Sequence, residues 1–209
     1  MSAGTASGPT SRRRRLVLPA SYLLLVASVF SARFLPIGLA GILPYWPSVM
    51  VLLASVFTCA VADTRPAIAT REDRWTWILA VLAGGAGFAL SLAYWTLVQP
   101  GWADKFHDSW RPGLAEALDT AIVGPFFEEL LFRGGYWALL AAHRPPAFVV
   151  AVTTTLFAVG HLAGTPAPVI LPPLFAAGVL LGVVRIHSRS IAPCFVAHAT
   201  SNALFLLFP

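Results

Sequence analysis

The stretch PFFEELLFRGG, residues 125–135, sets two carboxylates and a guanidinium among Phe126, Phe127, Leu130, Leu131 and Phe132. An ionisable group inside an apolar segment is costly, so each is a candidate for function. Helix geometry divides the three. Successive residues on an α-helix lie about 100° apart. Glu129 and Arg133 stand at i, i+4 and share a face, as a structural ion pair would. Glu128 points elsewhere and needs a partner of its own, because a lone buried carboxylate is unfavourable. Three later groups are available. His161 ends FAVGH, with Phe157 one turn before it, and HATSN carries His198 and Asn202 at i, i+4. No acidic residue follows Glu129, so any later cation must find its carboxylate upstream.

This set suits hydrolysis by an activated water. Glu128 beside His161 is placed to deprotonate water, the histidine orienting it or sharing the proton. His198 and Asn202 can donate to a single point, as a developing oxyanion requires. The result is a peptide hydrolase without a side-chain nucleophile. Ser201 is a serine candidate, but no G-x-S-x-G elbow is present. Cys194 stands at i, i+4 to His198, yet an apolar cysteine is usually packing. Glu128, His161 and His198 also form a zinc-type donor set with one open position. There is no H-E-x-x-H, and the zinc alternative stays open. The bland reading is that each histidine only bonds one helix to another. His107, His143 and His187 fall in loops or at helix ends and read as solvated or interfacial.

The elements that must hold these groups are membrane helices. The chain is 57% hydrophobic and 11% charged, against about 25% charged in ordinary soluble domains. Its mean hydropathy is +0.75. The expected fold class is all-α, a polytopic bundle of about seven transmembrane helices. Candidate spans are 16–33, 46–62, 75–98, 114–141, 147–164, 168–184 and 190–208. Pro172 and Pro173 suggest a broken start to the sixth. Residues 1–15 read as a disordered tail, 16–113 as accessory helices and 114–209 as the catalytic core. Cys59 and Cys194 read as small buried hydrophobes. The net charge of +5 is a topology signal rather than a nucleic-acid footprint, because Arg12 to Arg15 precede an apolar segment. An N-terminus in the cytoplasm puts Arg12 to Arg15, Arg65, Arg71, Arg74, Arg144, Arg185 and Arg189 inside, which is ten. It leaves Arg33, Lys105 and Arg111 outside, which is three. The C-terminus is then outside. Trp46, Trp75, Trp77, Trp95, Trp102 and Trp110 fall near span ends, as interfacial anchors should. Counted along the spans, His161 falls near the outer end of the fifth and Glu128 nearer mid-membrane. Either the fifth helix extends into 162–166 or the fourth tilts.

EELLFR, FAVGH and HATSN follow the patterns E-E-x-x-x-R, F-x-x-x-H and H-x-x-x-N. In that order they resemble the CPBP family of intramembrane proteases, the CAAX-protease and bacteriocin-processing or ABI family. Its members include the type II CAAX prenyl endopeptidases. The resemblance covers roughly 114–208. It implies an intramembrane endopeptidase, with Glu128 and His161 activating water, His198 and Asn202 forming the oxyanion site, and Glu129, Arg133 and Phe157 in support. It implies a membrane-associated protein or peptide substrate, no nucleic acid and no required cofactor. Zinc remains the alternative, on Glu128, His161 and His198. The short length and arginine-rich start point to a bacterial plasma membrane. There the substrate would be a bacteriocin leader or, in a myxosortase-like member, a C-terminal sorting anchor. Two non-enzymatic readings compete. One is an immunity or interaction protein whose polar groups only hold helices together. The other is a small transporter with Glu128 as proton site, against which the lack of repeat symmetry counts.

Overall fold

The computed structural model describes residues 19–23, 46–62, 73–102, 112–162 and 167–208. These residues are helical with short connections, and no strand occurs among them. The helices are α1 (Trp46–Ala62), α2 (Arg74–Val98), α3 (114–141), α4 (Pro146–His161), α5 (Leu171–Ser188) and α6 (Ala192–Leu207). Residues 19–23 are the described part of the first expected span. The rest of that span lies outside the described residues, as do Arg12 to Arg15, Arg33, Arg65, Arg71, Lys105, His107, Trp110 and Arg111. So do the side chains of Trp46 and Cys59.

Helix boundaries follow local chemistry. Asp73 caps α2, its carboxylate accepting from the Thr76 amide at 2.9 Å and the Thr76 hydroxyl at 3.0 Å. Pro172 and Pro173 sit in the first turn of α5, where a missing N–H costs nothing. The expected break is therefore a 3-10 turn, Pro168–Ile170, before the helix proper. The helix also runs on to Ser188, past the expected end at 184. Arg189 closes it in the left-handed region, at φ 56°. Arg74–Val98 and Pro168–Ser188 are long and apolar enough to cross a membrane, and α4 and α6 are shorter apolar helices.

The long α3 is not a regular α-helix. Two stretches, Asp119–Val123 and Leu130–Tyr136, have π-helical hydrogen bonding. The first precedes Pro125, which has no N–H to continue an α-helical ladder. The second spans Arg133. Such single-turn widenings concentrate at functional sites.

Small residues let the helices approach closely. A Cβ on Gly84 of α2 would overlap the Ala197 carbonyl oxygen of α6. Cβ atoms on Gly178 and Gly182 of α5 would stand 2.8 Å from Thr154 and Val150 of α4. Gly178-x-x-x-Gly182 is thus a close-packing seam of the kind membrane helices use.

Arg185, counted on the cytoplasmic side, is buried in the last turn of α5. Its Nε donates to the Arg133 carbonyl at 2.9 Å, and its guanidinium lies over the Trp137 ring at 5.4 Å.

Candidate active site

Three helices converge on the face of α3 that carries the acidic pair. Glu129 and Arg133 are fully buried and pair at 2.9 Å. Arg133 also donates to the Gly178 carbonyl of α5 at 3.2 Å and lies 4.8 Å from the centre of the Phe157 ring. The desolvated cation is thus held by a carboxylate, a carbonyl and a ring face.

Glu128 meets both histidines. Its Oε2 lies 4.0 Å from His161 Nε2 and 3.8 Å from His198 Nε2. That oxygen makes no hydrogen bond within the described residues. The expected mismatch in depth between Glu128 and His161 does not arise. Helix α4 is described to His161, with Leu162 in its closing turn, and residues 163–166 lie outside the described residues. The hairpin 142–145 sets the level instead. Glu128 lies 13 residues before its start (141 − 128), and His161 lies 15 after its end (161 − 146). Antiparallel helices joined by so short a turn bring those two positions to similar heights.

The ring nitrogens have assigned roles. His161 Nδ1 lies 2.8 Å from the Phe157 carbonyl oxygen, which only accepts, so Nδ1 carries the proton. His198 Nδ1 lies 2.9 Å from Glu129 Oε1, the oxygen that also pairs with Arg133. Both Nε2 atoms therefore face Glu128. Phe157 packs its buried ring between the two imidazoles, at 4.7 Å from His161 and 5.6 Å from His198. Asn202 Nδ2 donates to the Thr120 carbonyl at 2.9 Å, in the first π-helical stretch of α3.

The sequence split Glu128 and Glu129 into separate roles and tied Glu129 to Arg133 alone. His198 in fact joins them, one ring nitrogen to each carboxylate. Nothing in the spacing of α3 and α6 announced that contact. Cys194 is buried against the Ser190 and Leu181 carbonyls at 3.4 and 3.6 Å, and forms no bond to His198.

Glu128, Phe157, His161, His198, Ser201 and Asn202 all line one cavity of about 290 Å3. The rest of its wall is mostly apolar, from α2, α5 and α6. Chemically the carboxylate and two imidazoles suit zinc, but zinc at 2.0–2.1 Å from each donor would draw them closer than 3.8 and 4.0 Å. Among the described residues no group of three such side chains is close enough to hold a metal ion.

Residues 110–204 match the family model described as type II CAAX prenyl endopeptidase Rce1-like. This segment is similar to the Rce1-like family. The chain is accordingly a membrane helix bundle and an integral membrane protein with a CAAX-type intramembrane peptidase domain. No curated protein and no solved structure gives a significant match. The Rce1-like segment begins after α2, so part of the cavity wall comes from outside it.

Proposed function

We propose that the protein hydrolyses a peptide bond of a membrane-associated protein or peptide, using a water activated by Glu128 and His161. One observation carries this reading: Glu128 Oε2 faces the acceptor nitrogen of His161 across 4.0 Å, within an otherwise apolar cavity. A water donating a hydrogen bond of about 2.8 Å to each of two acceptors holds them roughly 4.4 Å apart. The gap therefore suits one water, donating to both groups.

The chemistry follows from the donors. Water passes a proton to Glu128 as its oxygen bonds the carbonyl carbon, and the carbonyl electron pair moves onto oxygen. The tetrahedral oxyanion is received by Asn202 and His198. Asn202 has two amide hydrogens; Thr120 takes one, and the second is free for the oxyanion. His198 Nε2 donates only when its ring is doubly protonated, because Nδ1 already carries the proton given to Glu129. The oxyanion then collapses, the C–N bond breaks, and Glu128 returns its proton to the leaving amine. Glu129, Arg133 and Phe157 hold the imidazoles in place. The step requires no metal.

The bacterial plasma membrane, the cytoplasmic N-terminus and a leader or sorting-anchor substrate, as in a myxosortase-like member, belong to the same proposal. Comparing membrane proteomes of a deletion strain and its parent identifies proteins that accumulate uncleaved. Against such a substrate, full-length protein in liposomes carrying Glu128→Gln should lose at least 100-fold in cleavage rate while remaining monodisperse. Undiminished cleavage sinks the mechanism. Stoichiometric zinc in the purified protein, lost with Glu128→Gln, transfers these residues to a metallopeptidase. Retention of biological function by Glu128→Gln favours the interaction or immunity reading.

A further inference from the structure

We propose that Gly87 and Ser91 of α2 form the specificity wall of the cavity, and that they admit a bulky apolar side chain of the substrate beside the scissile bond. This inference rests on the peptidase reading above. The buried face of α2 is Thr76, Ala80, Gly84, Gly87 and Ser91. At Gly84 this face is pinched: a Cβ there would overlap the backbone of α6. One turn further on the face opens. A Cβ at Gly87 would stand 3.6 Å from Ser201 Oγ and 3.7 Å from Leu180 Cδ1, ordinary contact distances. Gly84, Gly87 and Ser91 line the cavity that Glu128, His198 and Asn202 also line.

Gly87 and Ser91 leave a recess whose other walls include Ala177 and Leu180 of α5 and Phe205 of α6. Trp95 also lines the cavity, and the neighbouring Tyr94 donates to the Val169 carbonyl at 2.8 Å. A recess with apolar walls and a missing side chain is filled by an apolar side chain from the ligand. The polar end, one helix turn away, receives the backbone to be cut.

Substitution of the recess tests this. Full-length protein in liposomes is given a library of membrane-anchored peptides randomised over a short window, and the products are sequenced by mass spectrometry. Wild type should favour Leu, Ile, Met or Phe at one position flanking the cut. Gly87→Leu and Ser91→Leu should move that preference to Gly, Ala or Ser by about 10-fold or more, the scale at which an apolar pocket discriminates. Gly87→Ala should shift it less, and its methyl fits without displacing a neighbour. Gly85→Leu is the control, because a Cβ at Gly85 meets nothing within 4 Å. It should keep the wild-type profile.

A wild-type profile in any folded, cleaving recess variant overturns the proposal. So does equal acceptance of small and bulky residues by wild type. Cleavage of native substrates that depends on Glu128 leaves the peptidase reading standing in either case. Failure of wild type to cleave anything, native membrane proteins included, overturns both.

Discussion

Glu129 Oε1 is shared by Arg133 and His198, so one oxygen serves both a structural pair and the histidine facing the cavity. The two roles separate by substitution. Arg133→Leu leaves Glu129 fully buried beside one remaining partner, and removing half of a buried pair costs about 3–5 kcal/mol. Thermal unfolding in detergent should show that loss. Replacing both, with Arg133→Leu and Glu129→Leu together, removes the unpaired charge and should recover part of the stability. It should not recover cleavage, because His198 Nδ1 then has no acceptor. Recovery of cleavage would limit Glu129 to a structural role. The ring assignments are independently measurable. Nitrogen-15 chemical shifts of the histidines should show Nδ1 protonated in both His161 and His198 at neutral pH. An Nε2–H tautomer at His161 contradicts its bond to the Phe157 carbonyl.

At the scale of elements, α3 decides which groups meet. Its π-helical stretches flank Glu128 and Glu129, so the pair sits on a six-residue α-helical island, Gly124–Glu129. The first stretch also supplies the Thr120 carbonyl that orients Asn202. The start of α2 depends on a different chemistry, at the membrane surface. The Asp73 carboxyl is held below its ordinary value, first by the Thr76 amide and then by its hydroxyl. A lowered value means that the cap's contribution is present above the ordinary carboxylate range. It is lost as pH falls through the lowered value. Protection of the first-turn amides of α2 against hydrogen exchange, relative to the intrinsic rate at each pH, should therefore fall under acid in the wild type. Asp73→Asn keeps a capping oxygen without a titratable group, and should make that turn insensitive over the same window.

For the whole molecule, a helix outside the Rce1-like segment completes the cavity. Helix α2 packs on α6 through Gly84 and lines the cavity through Gly87, Ser91 and Trp95. A fragment of residues 110–204 therefore exposes the α6 face that α2 covers and opens the cavity to lipid. Expressed alone, it should be inactive against any substrate the full chain cuts. An active fragment would show that α2 is dispensable to the site. Both fully buried charges, Glu129 and Arg133, stay within the segment, so the fragment's defect should lie in packing and enclosure rather than charge pairing.

Several features were legible in the sequence because they are local or compositional. Apolar stretches of fixed length marked the spans, and α1 falls at 46–62 as expected. An i, i+4 spacing marked the Glu129–Arg133 pair, and three ordered motifs marked the family. Contacts between distant segments were not legible. Periodicity gives the direction of a side chain about its own helix axis, but not the height or rotation of the neighbouring helix. The short hairpin between α3 and α4 levelled His161 with Glu128. The packing of α5 against α3 buried Arg185 against the Arg133 carbonyl. The approach of α6 set His198 between both carboxylates, and the pinch at Gly84 opened the cavity beside them. The sequence by itself determined which residues could do chemistry. Only tertiary packing decided which of them meet, because those contacts join residues up to 82 positions apart in the chain.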